Sequence, residues 1–259
     1  MSIFDKTSRK IRQLENGEGV QANVLDTASK KTSEVIKTLS GKNTEKGVKL
    51  IDNFVLFTNA SGGTGVSSLL SNVAYNATTK GIKVCVVDLN IICPMQPSLI
   101  SKTKRGNEHD MVAFLLGKSG LSDCIDSSGA VHMIYAGDRT ILDELYCNDR
   151  TPIVNLEEMF SSLRQYYDLV LVDCPMRMSS RLENQALYMC DSMYMVWDES
   201  LGSMLNTERV RRSLALSGID SFTKMKVILN KRTNIHYTQY PFEKMNLELV
   251  EVLPFTTEI

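Results

Sequence analysis

The sequence predicts an α/β domain: a mostly parallel, twisted sheet covered by helices on both faces, preceded by an α-helical N-terminal arm. Three observations predict it. From residue 51 onward, short and nearly continuous apolar runs alternate with amphipathic stretches, the pattern of strands buried on both sides. The first run is followed by Ala60–Ser68, A-S-G-G-T-G-V-S-S, a glycine turn between a strand and a helix. Two later runs end in aspartate, at Asp88 and Asp173, on the carboxyl ends of strands where ligands of such sheets collect.

Taken in order, Phe54–Thr58 (F-V-L-F-T) reads as the first strand, and the stretch after the glycines, Ser67–Lys80, as its helix. Lys83–Asp88 (K-V-C-V-V-D) is the second strand and Met111–Leu116 the next helix. His132–Tyr135, Leu169–Asp173, Ser192–Trp197, Lys226–Leu229 and Leu249–Leu253 are the remaining strands. Asn155–Tyr166, Arg181–Met189 and Met204–Leu216 carry helical periodicity between them. Residues 1–50 differ in kind, with no strand pattern. Ile3, Phe4, Thr7, Ile11 and Leu14 share one helical face, while Lys6, Arg9, Lys10 and Arg12 point elsewhere. Val24, Ala28, Val35 and Leu39 form a second stripe, and glycines separate both segments from the core. The expected division is an arm over 1–50 and an α/β domain over 51–259.

Composition narrows the function. A chain of 259 residues with 43% apolar and 23% charged residues buries a sizeable core, and a net charge of −1 gives no global reason to expect nucleic acid. The charge is uneven: residues 1–50 carry ten Lys/Arg against six Asp/Glu, and the remainder nineteen against twenty-four. The six cysteines show no metal or C-x-x-C spacing, so free thiols in a reducing cytoplasm are expected. His109, His132 and His236 stand apart without ligand spacing. Arg209, Arg211 and Arg212 make a modest basic cluster that reads as a solvated face. The charged N-terminus has no continuous apolar core, so no secretory leader is expected, and no stretch is long enough to span a bilayer. A cationic amphipathic helix at Ile3–Leu14 is suited either to docking on protein or to the interface of an anionic membrane.

The glycine turn reads as a phosphate-binding loop. Such loops work through backbone N–H groups that converge on phosphate oxygens at a helix N-terminus. Gly62, Gly63 and Gly65 tolerate the required backbone angles, so the amides of Ser61, Gly62, Gly63, Thr64, Gly65, Val66, Ser67 and Ser68 are the candidate cradle. The lysine expected after the last glycine is Val66. The Ser67 hydroxyl has the place and chemistry of a magnesium ligand, and Asp88 and Asp173 could hold a metal-bound water or orient a nucleophile.

The order of glycine loop, strand ending in Asp88, strand ending Asp173-Cys174-Pro175 and then V-I-L-N-K at Val227–Lys231 resembles the ParA/MinD group of deviant P-loop ATPases. The resemblance covers roughly Asp52 to Ile259 and implies a P-loop fold of the SIMIBI type. It implies ATP or ADP as ligand, magnesium at Ser67 and Asp173, an adenine contact at Asn230, and Pro254 on the adenine-side loop. It also implies a homodimer, expected in the cytoplasm. The arm, outside the resemblance, reads as a recruitment element for a protein partner or, as a further option, the inner face of the membrane.

The chain departs from the family pattern at the residues that drive hydrolysis. Lysines of the family loop are replaced by Ser61 and Val66, its leading glycine by Ala60, and the second acidic residue after the second strand by Asn90. Phosphoryl transfer rests on positioning and charge neutralisation, and a trans-acting cation there is worth roughly 10³–10⁵ in rate. Losing one preorganised stabiliser costs about 10²–10³. Loops degenerate in this way resemble the TadZ/CpaE branch, pilus-localisation proteins whose ParA-like domain is a dimeric platform. The sequence therefore predicts a positioning scaffold with weak or retained nucleotide binding and little or no ATP hydrolysis. Two alternatives stay open: an active ATPase whose cation comes from elsewhere, such as Arg177, Arg181 or a partner chain, and an interaction protein with an empty groove.

Overall fold

In the computed structural model the described residues are 52–59, 61–100, 109–137, 145, 150–175, 181–219, 224–232 and 245–254. The N-terminal arm, Ala60 and Arg177 lie outside them. Seven strands form one sheet: β1 (Phe54–Thr58), β2 (Val84–Asp88), β3 (His132–Ile134), β4 (Leu169–Asp173), β5 (Ser192–Trp197), β6 (Met225–Arg232) and β7 (Glu248–Pro254). Their order is β3-β2-β4-β1-β5-β6-β7, and neighbouring strands pair parallel throughout. Among the described residues the helices are α1 (Val66–Thr79), α2 (Gln96–Ile100), α3 (Met111–Leu115), α4 (Leu121–Cys124), α5 (Thr151–Tyr166), α6 (Arg181–Met189) and α7 (Leu201–Leu216).

Strands β1, β2, β4 and β5 show no polar alternation because both of their faces are covered, whereas the edge strand β7 is largely exposed or half-buried. In β1, Phe54 and Leu56 enter one apolar layer and Val55 and Phe57 the other, all fully buried. The first layer takes Met111 and Leu115 of α3, Leu156 and Phe160 of α5, Ala186 of α6 and Leu214 of α7. The second takes Leu70, Val73 and Ala77 of α1. Phe54 meets Phe160 with ring centroids 4.6 Å apart, and burying a side chain of this size stabilises by about 1.5–3 kcal/mol. Because the strands run parallel, their carboxyl ends lie on one side of the sheet, where the glycine loop follows the central strand β1.

Element boundaries move where caps decide them. Helix α5 starts at Thr151, ahead of the expected Asn155, because Pro152 suits a first helical turn. Helix α7 starts at Leu201 because the Ser200 hydroxyl caps it, accepting from the Ser203 amide at 3.2 Å. Arg211 corrects the expectation of a solvated basic face. It is 6% exposed and its guanidinium donates to the Met245 carbonyl, while Arg212 pairs with Glu208. Cys85, Cys124, Cys174 and Cys190 are free and buried, as expected for thiols used as small apolar groups, and Cys93 is free and exposed.

Candidate functional site: a loop held open by its neighbours

The turn from β1 to α1 uses two left-handed glycines, Gly63 at φ 80° and Gly65 at φ 88°. Gly65 is also the residue that caps α1. Space as well as angle requires glycine there, since a Cβ would lie 2.6 Å from Nδ2 of Asn230. At Gly62 and Gly63 an added Cβ meets nothing within 4 Å, so the mouth of the loop is open.

Side chains from three other segments grip the outside of the loop. Asn230 donates from Nδ2 to the Thr64 carbonyl at 2.7 Å, and the ammonium of Lys231 donates to the Gly63 carbonyl. Gln96 donates from Nε2 to the Ser67 carbonyl at 3.1 Å. Ser61 shares a hydrogen bond with Ser203, Oγ to Oγ 2.7 Å, and Ser203 in turn donates to Asp198 Oδ1 at 2.5 Å. Burial alone would raise the Asp198 carboxyl, but hydrogen bonds from Ser200 and Ser203 outweigh it and hold the group below the usual carboxylate range. Within the loop, the carbonyls of Gly63, Thr64, Gly65 and Ser67 are thus spoken for. Its N–H groups from Gly62 to Ser68 meet no protein acceptor among the described residues. Unpaired amides converging at a helix N-terminus form an anion cradle.

The two aspartates sit side by side, since Asp88 and Asp173 are register partners across β2 and β4. Asp88 is anchored by main chain, accepting from Asn90 N–H on Oδ1 at 2.9 Å and from Met95 and Gln96 N–H on Oδ2 at 2.8 and 2.9 Å. Burial first, and then the charge of Asp173, push its carboxyl up to about 7 despite those donors. Asp173 is also raised by burial, while hydrogen bonds from Ser67 and Gln96 pull the other way. Gln96 Nε2 lies 2.6 Å from Asp173 Oδ2. Asn90 donates from Nδ2 to the Cys93 carbonyl at 2.7 Å, and its Oδ1 is buried without a partner.

The structure therefore brings together Ser61, Gly62, Gly63, Thr64, Gly65, Val66, Ser67, Asp88, Asp173 and Asn230. Ser68 is exposed on the first turn of α1, its carbonyl taking Nδ2 of Asn72. Pro254 ends β7 in register with Arg232, two residues beyond Asn230 on β6. Val66 is 7% exposed and packs in the α1 layer, a position that holds carbon where a cation was expected. Arg181, a candidate substitute cation, instead lines a groove of about 580 Å³ with Arg150, Val154 and Tyr188, with no loop residue among its described lining. Gln96, Lys231 and the Ser203–Asp198 pair escape a sequence reading; only the S-x-x-S spacing of Ser200 and Ser203 gives a cap signal.

These residues fit a nucleotide better than they fit a metal. The open, unpaired cradle suits a polyphosphate. Ser67 and Asp173 are close enough for the hydroxyl to lower the carboxyl's pKa, as a magnesium site requires, but an amide NH₂ occupies Oδ2 of Asp173. Magnesium takes oxygen ligands in near-octahedral geometry, which an amide nitrogen cannot supply. Among the described residues no cluster of three or more His, Cys, Asp or Glu side chains is arranged to hold a metal.

A glycine loop between the central strand of a parallel sheet and its helix, with carboxylates on the neighbouring strand ends, defines a P-loop nucleotide-binding fold. Residues 53–236 match the AAA_31 family, described as an AAA domain, and the chain belongs to that family. Solved structures agree in fold. The septum site-determining protein MinD of Pyrococcus horikoshii, complexed with Mg-ADP, aligns with TM-score 0.63 and 21% identity over 79% of this chain and 82% of that one. A ParA family ATPase from Chlorobium tepidum aligns with TM-score 0.63 and 17% identity, over 78% and 84%. The Aquifex aeolicus MinC:MinD complex contains a chain with TM-score 0.61 and 18% identity, over 79% and 82%. No curated protein matches the sequence. Among the described residues no helix is long and apolar enough to cross a membrane.

Proposed function

We propose that this protein is a ParA/MinD-like positioning scaffold that holds ADP or ATP through main-chain amides and hydrolyses ATP at a negligible rate. One observation carries the reading. The cradle keeps its N–H groups unpaired and open, while the position beside it that should offer an ammonium is the buried Val66. Binding needs the amides; cleavage needs charge at the transferring phosphoryl group. Ser61 and Asn90 support the same reading, since each makes a structural hydrogen bond in place of the family's lysine and aspartate chemistry.

The alternative of an active ATPase has one observation in its favour, the ammonium of Lys231 beside the loop. That ammonium is spent on the Gly63 carbonyl. The reading of a groove empty in the cell is separated by ligand-linked stability, because a ligand that binds only the folded state must raise its melting temperature. A rise with ADP favours the scaffold, and none favours the empty groove.

The wider assignment follows the family. The relative from Aquifex aeolicus is solved as a complex with MinC, so a protein partner is a reasonable expectation here. We assign dimerisation to the α/β domain and recruitment, to a pilus base, a comparable assembly or a membrane, to residues 1–50. A chain starting near Lys49 should then stay folded and lose its cellular position; normal localisation of that truncate would refute the role of the arm.

A further inference from the structure

We infer that Gln96 takes the place of the divalent cation in this site, so that the polyphosphate it accepts is bound free of metal. The inference rests on the nucleotide-binding reading above. It starts from the hydrogen-bond inventory of one side chain. Gln96 is fully buried, at 0% exposure, and both hydrogens of its side-chain amide are in use. Nε2 donates to Asp173 Oδ2 at 2.6 Å and to the Ser67 carbonyl at 3.1 Å, while Oε1 lies 3.2 Å from Ser71 Oγ, whose single hydrogen is shared with the nearer Ser67 carbonyl at 2.6 Å. Its own backbone N–H donates to Asp88 Oδ2 at 2.9 Å.

A bound magnesium would bring positive charge and polarised water protons to the carboxylate beside Ser67. Here the amide supplies two polarised hydrogens to the same neighbourhood, one to the carboxylate and one to the first turn of α1. The substitution is neutral, carries no hydration shell, and is fixed by the fold. Asp88 pins the backbone at Met95 and Gln96, and the side-chain amide cannot swing aside without breaking its bonds to Asp173 and the Ser67 carbonyl in a fully buried place. The Asp173 oxygen that a cation would need is in use, taken by the Gln96 amide. Magnesium gives up its water reluctantly and does not take an amide NH₂ as a ligand. The ligand class is therefore a nucleoside di- or triphosphate without its metal, its charge met by main-chain N–H groups and the α1 dipole.

The test uses the full chain, with ADP as probe, titrated in magnesium buffer and in EDTA, for wild type, Gln96→Ala and Gln96→Glu. For wild type the dissociation constants should agree within about twofold, and the variants should gain about tenfold or more in magnesium dependence. Wild-type binding that strengthens about tenfold with magnesium overturns the inference. Manganese binding without nucleotide, followed by the loss of the free-ion paramagnetic signal, gives a second readout. A manganese site that appears on Gln96→Ala and is absent from wild type supports the inference. A wild-type site abolished by Asp173→Asn overturns it, and so does its failure to appear in either variant. If ADP fails to bind in both buffers, the nucleotide reading falls and the manganese arm alone decides this one. Should Gln96→Ala not fold, Gln96→Glu and the wild-type manganese titration carry the same decision.

Discussion

Asn230 and Thr64 are 166 residues apart in sequence and joined by a 2.7 Å hydrogen bond from the Asn230 amide to the Thr64 carbonyl. That bond makes the end of β6 part of the loop, and it explains why position 65 must be glycine. Gly65→Ala would drive a methyl to 2.6 Å from Asn230 Nδ2 at a backbone angle that disfavours any side chain. We expect it to cost about 1–3 kcal/mol in urea unfolding and to abolish the ADP-induced melting shift. An unchanged unfolding midpoint would show that the loop is not braced by Asn230.

The Ser61–Ser203–Asp198 chain holds the other limb of the loop. Ser203 is fully buried, so Ser203→Ala strips Ser61 and Asp198 of a partner and should cost about 1–2 kcal/mol. Ser203→Thr, which keeps the hydroxyl, should recover part of that loss. Equal stability for wild type and Ser203→Ala would make the chain incidental.

Restoring the family residues is expected to harm the fold before it helps the chemistry. Ser61→Lys removes the bond to Ser203, Val66→Lys places a charge in the α1 layer, and Asn90→Asp replaces a donor facing the Cys93 carbonyl with a carboxylate. The triple variant should lose about 3 kcal/mol in chemical denaturation. If it remains as stable as wild type and hydrolyses ATP, the three positions have not been rebuilt for structure. If hydrolysis does appear, the scaffold reading expects no gain in biological function.

His132 gives a pH signature away from the cradle. Burial and then the charge of Lys83 hold its imidazole below the ordinary histidine range, with Asp126 acting weakly against them, and Nδ1 lies 2.8 Å from the Tyr167 hydroxyl. The folded state thus binds this proton less readily than the unfolded chain. Its contribution is present above the ordinary value and is lost as pH falls through the folded one. His132→Gln should therefore lose less melting temperature than wild type between neutral and mildly acidic pH. Parallel curves for the two proteins would contradict this.

The central strands were legible because burial on both faces writes them as continuous apolar runs. All seven strands from Phe54–Thr58 to Glu248–Pro254 overlap stretches read as strands, the half-exposed β7 included. The site was legible where it is local: the glycine turn, and aspartates ending β2 and β4. It was illegible where register and turns assemble it. Nothing around Gln96 distinguishes it until Asp88 and Asp173 become neighbours, and the short α2 that carries it has no periodicity to read. Lys231 could be read only as the tail of a strand motif, because its reach to Gly63 depends on a left-handed backbone at φ 57°. Arg211 looked solvated because a single helical face hides its contact with the distant Met245 carbonyl.

The central claim is that this cradle grips a polyphosphate it cannot cleave. Phosphate release by the purified full chain at saturating ATP, with and without magnesium, measured beside ADP binding by calorimetry, tests it most directly. The account predicts measurable ADP affinity with turnover indistinguishable from buffer. Sustained magnesium-dependent phosphate release, lost in Asp173→Asn, would contradict it.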